Sequence, residues 1–142
     1  MWEEFRKIFS RRKKSRSKNN GCVLIVEENL SDRQFLCRTL ARDEYRPLTA
    51  ETATVAEMAE KTMPCLIILS AVVSGEKTTS LCERLKASRT TRHIPILIIA
   101  GKSDDSNIID YYSHHADQYL MKPISGKELI GQVRALIDDS GR

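Results

Sequence analysis

No segment of this 142-residue chain reaches the roughly 18–20 uncharged apolar residues that a membrane span requires. The N-terminus also lacks the order of a secretory leader, because Trp2 and Phe5 come ahead of the basic run rather than behind it. These two absences predict a protein that stays in the cytoplasm. Cysteine is sparse and scattered. Cys22, Cys37, Cys65 and Cys82 make no Cys-x-x-Cys and have no histidine at zinc-finger spacing, which leaves neither a metal nor a redox motif and points to buried thiols. There is no internal repeat. The single low-complexity piece is the basic, serine-containing run at 10–20, which reads as a solvated linker.

A broad basic face is missing too, although the net charge is +4. Residues 1–20 hold eight Lys/Arg against Glu3 and Glu4, so the remainder carries 15 basic and 17 acidic residues, a balance of −2. Attraction to phosphate or anionic lipid therefore belongs to the tail, and the body has no electrostatic footprint for nucleic acid. The chain divides into a tail and linker at 1–20, a folded domain at 21–138 and a short end at 139–142. That length suits one core, and no output domain is expected.

What is present are four short apolar runs: CVLIV at 22–26, LIIL at 66–69, ILII at 96–99 and the weaker QYLM at 118–121. Continuous rather than alternating hydrophobicity is the mark of strands covered on both faces. A fifth, weaker strand is expected at 46–50. Between the runs lie helical periods: Phe35, Leu36 and Leu40 after a Ser31/Asp32 start, then Val55, Met58 and Ala59, and later Leu81 and Leu85. Two more follow, in Ile108, Ile109 and Tyr112 and in Leu129, Ile130, Val133, Leu136 and Ile137. Five strand–helix alternations predict an α/β doubly wound parallel sheet with five helices, since each parallel crossover needs a covering helix. In such a sheet, chemistry gathers at the carboxyl ends of the strands. Those ends are 27–29, 70–75, 100–102 and 122–123.

Read together, VLIVEEN, MPCLIILSAVVSG, HIPILIIAGK and HADQYLMKPIS resemble the signature segments of bacterial response-regulator receiver domains. The likeness covers about 21–138, with Ala100 lying 30 residues and Lys122 lying 52 residues after Ser70. It implies a flavodoxin-like sheet in the order 2-1-3-4-5. It also implies a site: Glu27 and Glu28 stand where the family keeps its metal-holding acidic pair, Ser70 where the phosphoacceptor Asp belongs, Ala100 where a Thr or Ser belongs, and Lys122 is retained. Tyr119 occupies the place of the aromatic that responds to phosphorylation, but with the hydroxyl at position 100 missing, a packed ring with a wet hydroxyl is the favoured reading. An ammonium beside two carboxylates is likewise an ion pair whether or not phosphate visits.

The departures decide the function expected. Phosphoryl transfer needs a carboxylate nucleophile and a divalent cation held by hard oxygen ligands. Ser70 removes one carboxylate from the cation and offers a neutral hydroxyl, which needs an adjacent base to attack; Glu27 and Glu28 are the candidates for that base. The leading expectation is a stand-alone pseudo-receiver that binds protein partners of a signalling pathway without Asp phosphorylation. It needs no cofactor, and at most Mg²⁺ bound weakly at Glu27 and Glu28. The alternative is a conventional phosphorelay receiver with a non-standard acceptor. A hydrolase built on Ser70 lacks a positioned base, because His93 precedes the fourth strand and His114 and His115 end a helix; no enzyme is expected. Partner binding on the family's usual face would present Asp110, Tyr111, Tyr119 and Lys127.

The tail has a pattern of its own. At 100° per residue Trp2, Phe5, Ile8 and Phe9 fall within a stripe about 120° wide, while Glu3, Glu4, Lys7 and Arg11 fall outside it. So short a helix is marginal in water and needs a surface. An anionic membrane reached through residues 1–18, at the inner face of the cell membrane, would take the rings and attract the basic run. A groove on a partner protein would serve as well, and a disordered solubilising tail is the third reading. Specific nucleic-acid binding is not expected, since no aromatic is interleaved among the charges of the basic run.

Overall fold

The computed structural model describes residues 21–71, 78–101 and 115–140. Within these, β1 (Cys22–Val26), α1 (Leu30–Arg42), β2 (Arg46–Thr49), α2 (Val55–Thr62), β3 (Leu66–Ser70), α3 (Thr78–Ala87), β4 (Ile96–Ala100), β5 (Gln118–Met121) and α4 (Gly126–Ser140) follow in chain order. The five strands form one parallel sheet in the order β2-β1-β3-β4-β5. This is the doubly wound parallel sheet that the apolar runs predicted, in the flavodoxin-like order that the resemblance implied. Four helices are seen where five were expected; the one expected around Ile108–Tyr112 lies outside the described residues.

Successive residues of a strand point to opposite faces, and here both faces are covered. Val23, Ile25, Leu66, Ile68, Leu97 and Ile99 meet Leu36 and Leu40 of α1 and Leu129, Val133 and Ile137 of α4. Leu24, Val26, Ile67, Leu69, Ile96 and Ile98 meet Val55 and Ala59 of α2 and Leu81, Cys82 and Leu85 of α3. Two apolar layers on one sheet account for the unbroken hydrophobic runs. Cys22, Cys65 and Cys82 are buried and Cys37 is half-buried, all four as free thiols. Burial pushes the Cys82 thiol up to about 12, against the opposing charge of Lys86, so it behaves as core rather than as a nucleophile.

Local signals set the helix ends. The Asn29 side chain caps α1 by accepting from the Asp32 N–H at 2.9 Å, so the cap lies ahead of the expected Ser31/Asp32 start. Helix α2 stops at Met63 in the left-handed region, φ 46°, and Pro64 cannot continue it. Ser125 and Glu128 bond reciprocally to each other's backbone N–H at 3.0 and 3.2 Å. That capping box starts α4 a short turn after the end of β5.

Candidate functional site

The sheet order reverses between β1 and β3, and the residues following the strands meet there. Val26 pairs with Leu69, so Glu27 stands one register step on, level with Ser70. Ser70 in turn pairs with Ile99, and Ala100 with Met121, which carries Lys122 to the same edge. The Lys122 N–H donates to the Ala100 carbonyl at 2.7 Å, and the Ala71 N–H to the Ile99 carbonyl at 2.9 Å. Glu27, Ser70, Ala100 and Lys122 therefore lie along one rim.

Glu27 is 5% exposed. One carboxylate oxygen accepts from the Asn29 N–H at 3.1 Å and the other from the Lys122 ammonium at 3.1 Å. The second acid on Lys122 is Asp32, at 2.6 Å, where the sequence had suggested Glu28. Glu28 itself is exposed. Burial works to lower the Lys122 pKa, but the hydrogen bonds and charges of Asp32 and Glu27 outweigh it and hold the ammonium above its ordinary value. Lys122 is thus a fixed cation between two carboxylates. Asp32 was legible only as an acid in a first helical turn, a placement that the helix dipole favours by itself; no spacing rule marked it as a partner of a lysine 90 residues on.

Ser70 and Ala100 are both buried, 4% and 1% exposed. The Ser70 carbonyl accepts from the Thr78 hydroxyl at 2.9 Å, which ties the end of β3 to the start of α3. Tyr119 is half-buried and packs against the α2/α3 layer. His93 and His115 are exposed. Trp2, Phe5, Ile8, Phe9, Asp110, Tyr111 and His114 lie outside the described residues.

Among the described residues no group of three or more His, Cys, Asp or Glu is placed to hold a metal ion. The Mg²⁺ that the resemblance implies does not fit the donors at this rim. The buried carboxylate of Glu27 faces Lys122 and Asn29, and position 70 offers a neutral hydroxyl where the cation would take an anionic oxygen. Beside the ion pairs opens a cleft of about 570 Å³ whose walls combine Glu27, Asp32 and Lys122 with Phe35, Ile99 and Ile124.

The comparisons with known proteins agree with this fold. The family model described as the response regulator receiver domain matches residues 23–134. The phosphate regulon transcriptional regulatory protein PhoB of Pseudomonas aeruginosa is 30% identical over 120 residues, covering 84% of this chain and 52% of that protein. A histidine kinase of Formosa agariphila is 28% identical over 126 residues, covering 88% of this chain and 9% of that protein. The solved receiver domain of a signal transduction histidine kinase from Syntrophus aciditrophicus superposes with a TM-score of 0.77 at 24% identity, covering 86% of this chain and 93% of that one. The chain spans about half the length of the PhoB protein, and a far smaller share of the kinase.

Proposed function

The chain belongs to the response regulator receiver domain family, the domain of two-component signalling, and from that premise we propose that it acts as a pseudo-receiver, conveying its signal by binding a protein partner without phosphorylation at the Asp position. The observation that carries this reading is the engagement of Lys122. In a working receiver site the lysine has an acidic acceptor and its phosphoryl group to attend to; here position 70 supplies a serine, and Lys122 is held by Glu27 and Asp32. A neutral hydroxyl at the end of β3 and a methyl at the end of β4 leave neither the nucleophile nor the hydroxyl contact that phosphoryl transfer and switching require. Acetyl phosphate with Mg²⁺ is expected to leave the full chain at its unmodified intact mass.

No helix among the described residues is long and apolar enough to cross a membrane. The tail is proposed to tether the domain instead, with Trp2, Phe5, Ile8 and Phe9 lying in an anionic bilayer surface and the following basic run adding about 1 kcal/mol per Lys/Arg near the lipid. The full chain should sediment with phosphatidylglycerol vesicles, and a version beginning at Asn20 should stay in the supernatant. Replacing Phe5 and Phe9 with Ser should weaken sedimentation at low salt, since the inserted area is lost while every charge remains. Unchanged sedimentation of that variant would reduce the tether to electrostatics and remove the helix from the account.

A further inference from the structure

We propose that the groove between α1 and α4 is the docking surface for an acidic amphipathic segment of a protein partner, an assignment that rests on the partner-binding reading above and specifies the partner's chemistry. The groove is shallow and open to solvent, with a volume of about 480 Å³. One wall is the α1 stripe Phe35, Arg38, Thr39 and Arg42, spaced as neighbours on a single helix face. Facing it on α4 are Gly126, Lys127 and Ile130. Phe35 and Ile130 are half-buried against the core beneath and form an apolar floor. Gly126 presents no side chain to the groove, and a Cβ there would lie in ordinary contact with the Thr39 methyl at 3.4 Å.

The rim is cationic. Arg38, Arg42 and Lys127 are exposed, and no carboxylate among the described residues forms an ion pair with them. The acid lining the groove, Asp43, is already engaged, gripped by both ends of the Arg134 guanidinium at 2.6 and 3.1 Å. Three unneutralised cations around an apolar floor complement an apolar anchor flanked by carboxylates. The floor lies between two helices, out of reach of a flat bilayer. Nucleic acid would need more cations along a path and an exposed ring for stacking. The chain's own tail carries Glu3 and Glu4 but eight Lys/Arg, and that excess of positive charge would be repelled by the same three cations.

The test uses the isotopically labelled full chain and a synthetic amphipathic peptide of Leu, Ala and Glu, about four helical turns long. Saturable binding should shift the NMR signals of Arg38, Arg42, Lys127 and Ile130. The double variant Arg38→Glu with Arg42→Glu should bind at least about tenfold more weakly, and Ile130→Ser should weaken binding at every salt concentration. Should the double variant misfold, Lys127→Glu at the exposed start of α4 carries the same test with a smaller loss. Undiminished affinity in folded charge-reversed variants, or shifts confined to residues 1–20, would overturn the assignment. So would tighter binding of oligothymidylate or phosphatidylglycerol vesicles through the same arginines. The parent reading fails separately, by phosphate appearing on the chain, and that result would leave the peptide measurements standing.

Discussion

Ser70→Asp is expected to convert a chain inert to acetyl phosphate into one that labels slowly in the presence of Mg²⁺. Position 70 ends β3 level with Glu27, and Lys122 reaches the same rim from β5. A carboxylate placed there restores an anionic nucleophile, and with Glu27 and Glu28 gives a cation more than two carboxylates to bridge. Lys122 would then have a third acid to serve. Labelling alone should leave Tyr119 silent, because Ala100 cannot hydrogen-bond an added phosphoryl group and so cannot couple it to β5. Adding Ala100→Thr should be required before labelling shifts the aromatic NMR signals of Tyr119. Ala100 is 1% exposed, so the larger residue will cost about 1–3 kcal/mol in overpacking, and folding must be verified. If the folded double variant takes no label, its Mg²⁺ affinity separates the causes. Weak affinity indicts the longer Glu27/Glu28 pair, and normal affinity indicts the placement of Ser70.

Lys122→Met should destabilise the domain by about 2 kcal/mol at neutral pH in urea unfolding. Removing the ammonium leaves the Glu27 carboxylate, 4% exposed on its side chain, with the Asn29 N–H as its remaining contact at this rim. Breaking a fully buried pair costs about 3–5 kcal/mol; the lysine end here is 32% exposed, and solvent screening reduces the figure. Glu27→Gln combined with Lys122→Met should recover much of the loss, because the stranded charge goes with its partner. The pH dependence has a definite sign. The folded Lys122 pKa is raised above its ordinary 10.5, so its stabilisation is fully present below that value and is lost as pH rises through the folded one. The gap between wild type and Lys122→Met should therefore close on the alkaline side. A gap that persists there would mean that the lost lysine stem, not its charge, sets the cost.

The sheet was legible because each central strand is covered on both faces. Cys22–Val26, Leu66–Ser70 and Ile96–Ala100 are buried at every position, and apart from Ser70 at the end of β3 every residue in them is apolar. Strand β2 was faint for the opposite reason: Arg46 and Thr49 are exposed at the sheet's edge, and the strand ends one residue earlier than the expected 46–50. The other edge, β5, is half-buried throughout and gave an equally weak run. Strand-end positions could be read from spacing alone, because parallel register carries them to one rim. Asp32 could not, since its contact with Lys122 depends on how α1 sits beside the end of β5. The groove was hidden for the same reason. Arg38, Arg42 and Lys127 look like ordinary solvated charges until packing sets the α1 stripe opposite Gly126.

Intact mass of the full chain after incubation with acetyl phosphate and Mg²⁺, with Ser70→Asp treated in parallel as the positive control, puts the phosphorylation-independent reading at most direct risk. The geometry of Ser70, Ala100 and the Lys122 ion pairs predicts the unmodified mass for wild type at every time point. An acid-labile phosphoryl adduct on wild type would contradict it.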